Sequence, residues 1–169
     1  METKRCQLTK VSKAHETFYH DVQTDEDIRK YLGGIPSITH VNSRFKAILE
    51  SDDIWYWTVT DKNENTLIGL ISIEPYEENI SYEISYQFLP KWWGKGYAYE
   101  TVLKVMDYAF KTLSLGEMKA VTQSKNKRSR VLLEKLGMER ETVKVMFDEE
   151  QSIYSVERKV YLESAMFDQ

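Results

Sequence analysis

Two glycines in a short turn, Gly94 and Gly96, are the residues of this chain best placed to do chemistry. They follow a predicted strand and precede an amphipathic run at residues 99–113, which predicts a helix. A turn that leads from a strand into a helix start presents several main-chain N–H groups to one point, and the helix dipole adds positive charge there. Glycine lets the backbone approach an anion without a Cβ in the way. The segment therefore predicts a site for a phosphate or pyrophosphate group of a cofactor.

The same turn has a simpler interpretation, in which the two glycines serve only the geometry of a tight connection. Two common nucleotide motifs are absent from it. The chain has no G-x-x-x-x-G-K-[ST] sequence, and Tyr99 occupies the third glycine position of G-x-G-x-x-G. Binding of ATP through a Walker-type loop is therefore not expected, and the rest of the chain must decide between an anion site and a plain turn.

The elements before the turn are predicted from hydrophobic periodicity and from helix caps. Ser12 is a candidate cap of a helix that runs to residue 21, and the segment 24–27 starts a second helix that ends at Gly33 and Gly34. The other predicted elements are a strand at 6–11, a helix at 39–50, strands at 55–60, 67–73 and 80–89, a hairpin loop at 61–65 and a turn at 75–79.

The elements after the turn complete a mixed fold. The helix predicted at residues 98–113 has an apolar stripe at spacings of three and four, formed by Val102, Leu103, Met106, Ala109 and Phe110. The later elements are a strand at 117–122, a helix at 127–136 that packs through Val131, Leu132 and Leu136, and a hairpin of strands 142–147 and 153–161 across the turn 148–151. This order predicts an α/β fold with a central sheet flanked by helices.

The composition restricts the class of protein. The chain has 169 residues, 41% hydrophobic and 30% charged, which predicts a single globular domain over residues 1–169. A net charge of −4 argues against nucleic acid as the main partner. Cys6 is the only cysteine and the three histidines are scattered, so neither a disulfide framework nor a metal site is expected. No apolar run approaches the ~18 residues of a membrane span and no signal peptide is evident, so we expect a cytoplasmic location.

Two segments match a known family in both sequence and spacing. They are LPKWWGKGYA at residues 89–98 and NKRS at residues 126–129, the latter followed by LEKLGM at residues 133–138. With YLGG at 31–34 and LIGLI at 67–71, they resemble the GNAT superfamily of acetyl-CoA-dependent N-acetyltransferases over nearly the whole chain. The branch they resemble is the RimJ/RimL type, which acetylates the N-termini of ribosomal proteins. The resemblance implies a GNAT fold with a mostly antiparallel, twisted sheet of about six to seven strands.

The resemblance also implies a set of residues that bind acetyl-CoA. The family motif [Q/R]-x-x-G-x-[G/A] falls on residues 93–98, where Trp93 departs from Gln or Arg. The pyrophosphate would be held by main-chain N–H groups of Gly94, Lys95, Gly96, Tyr97, Ala98 and Tyr99. The pantetheine arm would pair, as an added strand, with Tyr86, Gln87 and Phe88. Asn126 would hydrogen-bond the same arm or simply cap the following helix. The candidates for the 3′-phosphate, each otherwise a solvated surface charge, are Lys95, Lys127, Arg128 and Arg130.

A carboxylate on the strand before the turn is the predicted general base. Strand alternation places Glu83, Ser85 and Gln87 on one face, and a carboxylate within an otherwise apolar sheet requires a reason. Glu83 would take a proton from the amine, while the main-chain N–H of Phe88 would polarise the thioester carbonyl. The alternatives are that Glu83 is a solvated or ion-paired surface residue, or that Glu74 is the base. Some relatives carry a basic Glu on the next strand, but Val121 occupies that position here.

A proton must also reach the departing thiolate. Many family members supply it from a Tyr, and Leu133 occupies that position. The RimJ/RimL branch instead has a Ser near the helix start, which Ser129 matches. Ser129 is therefore predicted to hydrogen-bond the sulfur and to act as, or relay for, the general acid; the alternative is ordinary polarity of a first helical turn. Cys6 lies outside both motifs, so a covalent acetyl-Cys route is not expected.

The predicted function is direct transfer of an acetyl group from acetyl-CoA to a primary amine. The acceptor is either the α-amino group of a protein N-terminus or a small amine. The alternative is a non-catalytic acyl-CoA-binding or regulatory module, which Leu133 in place of Tyr supports. The acceptor pocket has three candidate lining residues, Tyr31, Tyr82 and Tyr86, while Trp92 is expected to pack in the core. The terminal hairpin could pair between subunits, so a homodimer is a further expectation.

Overall fold

A computed structural model of the chain describes residues 1–76 and 81–167. The chain divides into two compact units. The first consists of Met1–Ser72 and Tyr86–Lys104, and the second of Ile73–Ser85 and Val105–Gln169.

Seven strands form one sheet in the order β1-β2-β3-β4-β5-β7-β6. Their bounds are β1 Cys6–Lys10, β2 Trp55–Asp61, β3 Thr66–Tyr76, β4 Ser81–Phe88, β5 Glu117–Gln123, β6 Glu139–Met146 and β7 Glu149–Glu157. The pairings of β1 with β2, β5 with β7 and β6 with β7 are antiparallel, and β4 runs parallel to β5. The predicted mixed α/β fold with a mostly antiparallel sheet is confirmed.

The first unit packs three helices, α1 Glu16–Thr24, α2 Glu26–Arg29 and α3 Ile38–Glu50, around an apolar core. Tyr19 of α1 lies at the centre, with ring centroids 4.9 Å from Phe45 of α3 and 6.0 Å from Tyr56 of β2. Val22 and Leu70 are among the other buried side chains of this core. The helix predicted at residues 39–50 is confirmed as α3.

Two predicted helix bounds in the first unit are wrong. Ser12 does not begin an α-helix, because its N–H donates to His15 Nδ1 at 3.1 Å and closes a single 3₁₀ turn, after which α1 begins at Glu16. The second helix does start where expected, with the Asp25 side chain accepting from Ile28 N. It ends at Arg29 and not at Gly33, because the Arg29 side chain hydrogen-bonds the carbonyls of residues 32 and 34 in the following loop.

The turn predicted at residues 75–79 is also partly wrong. Pro75 and Tyr76 continue β3 as strand residues. The remainder of that predicted turn, residues 77–79, and the predicted strand start at residue 80 lie outside the described residues.

The second unit contains β5, β6 and β7 with the helices α5 Lys127–Lys135 and α6 Arg158–Phe167. The hairpin turn is at Phe147 and Asp148, whose φ values of 55° and 59° suit a tight two-residue connection. The predicted turn at 148–151 is therefore wrong in its bounds: it starts one residue late, and residues 149–151 belong to β7. The strand predicted to run to residue 161 is wrong after Glu157. Residues from Arg158 form α6 because Tyr161 packs on Phe110, with centroids 4.8 Å apart, and donates a hydrogen bond to Asp107.

The helix after the glycine turn, α4, runs from Tyr97 to Asp107 and is followed by a π-helical turn at Tyr108–Thr112. Four members of its predicted stripe are buried, while Leu103 is only half-buried. In α5, the predicted packing through Val131 is wrong: that side chain is 40% exposed, and Leu133 is buried in its place at a spacing of three from Leu136. None of the described helices is long and apolar enough to cross a membrane.

Candidate active site

The glycine turn of the first unit has the geometry that the sequence predicts for an anion site. Gly94 and Gly96 adopt φ values of 72° and 80°, in the left-handed region that favours glycine. The N–H groups of the first helical residues, from Tyr97 onward, have no partners within α4, and the first bond of that helix is from Glu100 N to Gly96 O at 3.1 Å. A Cβ placed on Gly94 would meet no atom within 4 Å, so this face of the turn is open. These are features that a pyrophosphate-binding turn requires, and the pyrophosphate role itself stays a prediction.

Arg5, immediately before β1, is the main side-chain contact of this turn. Its Nη1 donates to Lys95 O at 2.9 Å, its Nε donates to Glu100 Oε2 at 2.6 Å, and its guanidinium lies 4.1 Å from the centroid of the Tyr97 ring. Tyr97 in turn donates from its hydroxyl to Asp61 Oδ1 at 3.1 Å. Arg5 is not predicted from the sequence, because an arginine beside a strand start has no local pattern that links it to a turn ninety residues later.

Trp93 connects the turn to the end of β4. Its indole Nε1 donates to the carbonyl oxygen of Phe88 at 2.6 Å, and the Phe88 side chain is buried. Trp93 stands where the family motif has Gln or Arg, so this departure from the motif has a structural role. The neighbouring Trp92 is buried with its ring edge-on to Tyr97 at 5.0 Å, as expected for a packing residue.

Gly69 of β3 makes room for the predicted pantetheine-binding residues. A Cβ on Gly69 would lie 2.7 Å from Gln87 O and 2.6 Å from Phe88 Cδ1, closer than real side chains approach. In the sequence, Gly69 is visible only as part of a family-like segment. Only glycine fits at this point of β3, because the main chain of β4 comes so near.

A polar chain connects β4 to the helices of the same unit. Gln23 of α1, whose side chain is buried, donates from Nε2 to Gln87 Oε1 at 2.7 Å. Arg29 Nη1 donates to Gln23 Oε1 at 3.1 Å, and burial lowers the pKa of that guanidinium. The side chain of Gln87 is thus held in place by Gln23, and the role of its main chain stays a prediction.

Glu83 lies in the second unit, in the half of β4 that pairs with β5. Among the described residues this parallel ladder consists of Tyr82 with Met118 and Glu83 with Lys119, and it ends there although β4 continues to Phe88. Burial raises the pKa of Glu83 to about 7, partly opposed by hydrogen bonds from Ser85 Oγ, at 3.3 Å, and from the main chain of Val121. A carboxyl group of this kind is half protonated near neutral pH, which suits a general base.

The residues predicted on the second motif also lie in the second unit. Asn126 caps α5, with its Oδ1 accepting from Ser129 N at 3.2 Å, as its alternative role required. The cap uses the oxygen, so the Nδ2 amide is the group that could donate to a cofactor. Leu133, at the position of the family Tyr, is buried and offers no proton.

The four cations proposed for a 3′-phosphate differ in their surroundings. Arg130 Nη1 donates to Ser124 O at 2.9 Å, which gives this residue a structural role beside the end of β5. Lys95 lies on the exposed turn with its Nζ 5.7 Å from the Trp92 ring centroid. Lys127 and Arg128 are exposed in the first turn of α5. All four roles stay predictions.

The remaining candidates have less distinctive surroundings. Tyr31, Tyr82 and Tyr86 are half-buried, and Lys30 Nζ lies 5.5 Å from the Tyr31 ring centroid. Glu74 is half-buried on β3. In the part of the chain that the structure describes, no three His, Cys, Asp or Glu side chains are grouped to hold a metal ion. The acceptor pocket and the expected lack of a metal cofactor both stay predictions.

Comparison with known proteins places the chain in a family. Residues 5–139 match the acetyltransferase (GNAT) domain family. The uncharacterized N-acetyltransferase YnaD of Bacillus subtilis is 29% identical over 142 residues, which cover 82% of each chain. A GNAT-family acetyltransferase structure from Bacillus anthracis has a TM-score of 0.82 at 25% identity and covers 94% of this chain and 98% of that one.

A second solved structure agrees in fold. The spermidine N-acetyltransferase of Vibrio cholerae, in complex with CoA and spermine, has a TM-score of 0.83 at 20% identity and covers 94% of this chain and 98% of that one. The family match covers well over half of the chain, and the glycine turn and the strands β1 to β5 lie within it. The protein therefore belongs to the GNAT family of acetyltransferases and is an N-acetyltransferase.

Proposed function

We propose that the protein transfers an acetyl group from acetyl-CoA to a primary amine by direct attack on the thioester. The observation that carries this proposal is the Glu83 carboxyl, whose pKa burial raises to about 7 at the point where the β4–β5 ladder ends. A deprotonated Glu83 would take the proton that the amine loses on attack. The non-catalytic alternative is not favoured, because residues 5–139 match the acetyltransferase family.

The cofactor assignment is supported by the turn and by the end of β4. Acetyl-CoA supplies the acetyl group as an activated thioester. The open face of Gly94 and the first N–H groups of α4 fit its pyrophosphate. Phe88, fixed through Trp93, would donate its main-chain N–H to the thioester carbonyl. Tyr86 and Gln87 would pair with the pantetheine arm beyond the end of the ladder, and Asn126 would donate to the same arm.

Binding of acetyl-CoA is expected to stabilise the protein against heat. Ligand at 100 times its dissociation constant adds ~2.7 kcal/mol to the free energy of unfolding. A thermal-shift comparison of acetyl-CoA, CoA and ATP measures this directly. We expect a shift with both CoA ligands and none with ATP; stabilisation by ATP alone would instead favour a nucleotide-binding protein, and no shift with acetyl-CoA would contradict the proposal.

Ser129 is proposed to hydrogen-bond the sulfur and to pass a proton to the departing thiolate. Ser129→Ala should therefore lower kcat by ~10²-fold, the lower end of what general acids contribute, with little change in acetyl-CoA affinity. Steady-state kinetics and calorimetric titration give the two quantities. The matched control is Ser43→Ala in α3, where the lost hydroxyl donates to His40 O at 3.0 Å and only local helix polarity changes. An unchanged kcat in Ser129→Ala would contradict this role and indicate that water is the general acid.

The acceptor is proposed to be cationic before it loses its proton. Five carboxylates and no Lys or Arg occur in residues 16–27, which form α1 and the start of α2. The structural neighbour from Vibrio cholerae carries spermine, a polyamine, whereas the RimJ/RimL resemblance favours a protein N-terminus. Both classes fit the charge, so a panel of polyamines, amino-acid amines and basic N-terminal peptides is the screen that separates them.

Three further sequence predictions remain as proposals. The chain is proposed to act as one catalytic domain over residues 1–169, in the cytoplasm. A homodimer through the β6–β7 hairpin is supported by the exposure of Val145 and Phe147, which are 78% and 86% exposed.

A further inference from the structure

We infer that Arg5 is a positioning residue for cofactor binding, which holds the Gly94–Gly96 turn in the shape that receives the pyrophosphate. The inference rests on the proposed function, since it concerns how this protein binds acetyl-CoA. Arg5 lies outside the glycine motif, and it reaches the turn from the segment that precedes β1.

The contacts of Arg5 fix the turn from three directions. Nη1 binds the carbonyl of Lys95, between the two glycines, at 2.9 Å. The guanidinium plane lies on the Tyr97 ring at the first residue of α4, and Nη2 is 3.3 Å from where a Gly96 Cβ would lie. Two of the three residues 94–96 are glycines, so this backbone has many accessible conformations. Arg5 therefore selects the backbone conformation in which the helix start and the turn share an open face.

Arg5 also neutralises a carboxylate beside the turn. Glu100, one helical turn after Gly96, accepts from Arg5 N at 2.8 Å and from Arg5 Nε at 2.6 Å. Burial acts to raise the pKa of Glu100, but hydrogen bonds from Thr3 and Arg5 lower it overall, so this carboxyl is ionised. An unpaired negative charge in the first turn of α4 would weaken the field that attracts a pyrophosphate. The ion pair removes that conflict.

The planar fork of arginine is needed for both contacts at once. A guanidinium presents Nε and Nη1 in fixed directions, so one side chain reaches the Glu100 carboxylate and the Lys95 carbonyl together. A lysine ammonium is a point charge on a flexible stem and would pair with the carboxylate without fixing the carbonyl.

The test compares two acetyl donors, acetyl-CoA and S-acetyl-pantetheine, the second of which has no pyrophosphate. In Arg5→Gln we expect the acetyl-CoA dissociation constant, by calorimetry, and its KM to rise ~10-fold, as for one lost charge-assisted hydrogen bond, with kcat within about twofold. For S-acetyl-pantetheine, kcat/KM should not change. Arg5→Lys should weaken acetyl-CoA binding less than Arg5→Gln, and adding Glu100→Gln to Arg5→Gln should recover part of the affinity.

Lys62→Gln is the matched control. Lys62 Nζ binds Glu2 Oε2 at 2.8 Å and Thr3 O at 2.6 Å, so it holds the same N-terminal segment without a contact to the turn. This variant should bind acetyl-CoA as the wild type does. If Arg5→Gln does not fold, the same comparison of donors is made with Arg5→Lys.

The outcomes separate this inference from the proposed function. Equal losses with both donors, or an unchanged acetyl-CoA affinity in Arg5→Gln, would overturn the positioning role alone. A wild-type protein that binds no acetyl-CoA would overturn the proposed function, and the inference with it. A loss confined to the donor that has a pyrophosphate would support the inference.

Discussion

Replacing Glu83 with Gln is expected to lower kcat by ~10²–10⁴-fold while the affinity for acetyl-CoA stays at the wild-type value. The amide has nearly the shape of the carboxyl and can still accept from Ser85 Oγ and Val121 N, but it cannot take a proton. The chemical step should therefore fail while the turn and the end of β4 are undisturbed. Steady-state kinetics with the best amine from the screen, together with calorimetric titration of acetyl-CoA, measure the two effects.

The pH dependence of the wild type should report the same group. Because burial raises the pKa of Glu83 to about 7, the base is protonated and inactive below that pH and deprotonated above it. We expect log kcat/KM to rise with pH, to bend near pH 7, and to lose this bend in Glu83→Gln. An unperturbed carboxyl would bend near pH 4 instead, as the ordinary pKa of Glu is about 4.3.

Replacing Glu83 should also change the stability of the protein: the substitution that lowers activity should raise the melting temperature. Its folded pKa is raised above the unfolded value, so its contribution to folding is fully present below the unfolded pKa and is lost as pH rises through about 7. Glu83→Gln removes this loss. The variant should therefore gain melting temperature relative to the wild type between about pH 4.5 and 7, with a constant gain at higher pH.

Glu74→Gln on β3 is the matched control for the base. It changes the fallback carboxylate in the same way, and it should leave kcat close to that of the wild type. If Glu74→Gln loses turnover and Glu83→Gln does not, the base is Glu74. If neither variant loses turnover, a water or the solvent takes the proton; if no amine is acetylated by the wild type, the non-catalytic alternative gains support.

The sequence predicts elements well where local signals decide them. The turn at Gly94 and Gly96, the cap at Asn126 and the face of Glu83 follow from glycine conformation, helix capping and strand alternation, all of which act over a few residues. The fold follows from the order of those elements and from the resemblance. Errors occur where distant contacts override the local pattern, as at residues 158–161, where Tyr161 packs on Phe110 and a helix replaces the predicted strand.

The parts of the site that the sequence could not predict are long-range contacts. Arg5 and Lys95 are 90 residues apart, and Gln23 and Gln87 are 64 apart. No local pattern indicates such pairs, because only the strand order brings them together. The raised pKa of Glu83 is likewise a product of burial, which alternation alone does not measure. Gly69 is an intermediate case. A glycine within a predicted strand is visible in the sequence, but the close approach of β4 that requires a glycine there is a long-range contact.

Gly69→Ala is expected to destabilise the protein by ~1–3 kcal/mol, the usual cost of overpacking, and to lower kcat/KM for acetyl-CoA by up to ~10²-fold. The new Cβ would lie 2.7 Å from Gln87 O, which is main chain and cannot rotate away, and 2.6 Å from the buried Phe88 ring. Relief therefore requires β4 to move at the residues proposed to hold the pantetheine arm and the thioester. Chemical denaturation gives the stability, and kinetics with varied acetyl-CoA give the second effect.

Gly116→Ala separates this steric effect from the general cost of replacing glycine. A Cβ on Gly116 would meet nothing within 4 Å, so this variant should be close to the wild type in stability and in turnover. In Gly69→Ala, the loss of kcat/KM should persist at temperatures far below its melting point, because it arises from displaced atoms and not from unfolded protein. If the two variants behave alike, β4 adapts to the added methyl group, and its position at Gln87 and Phe88 does not control acetyl transfer.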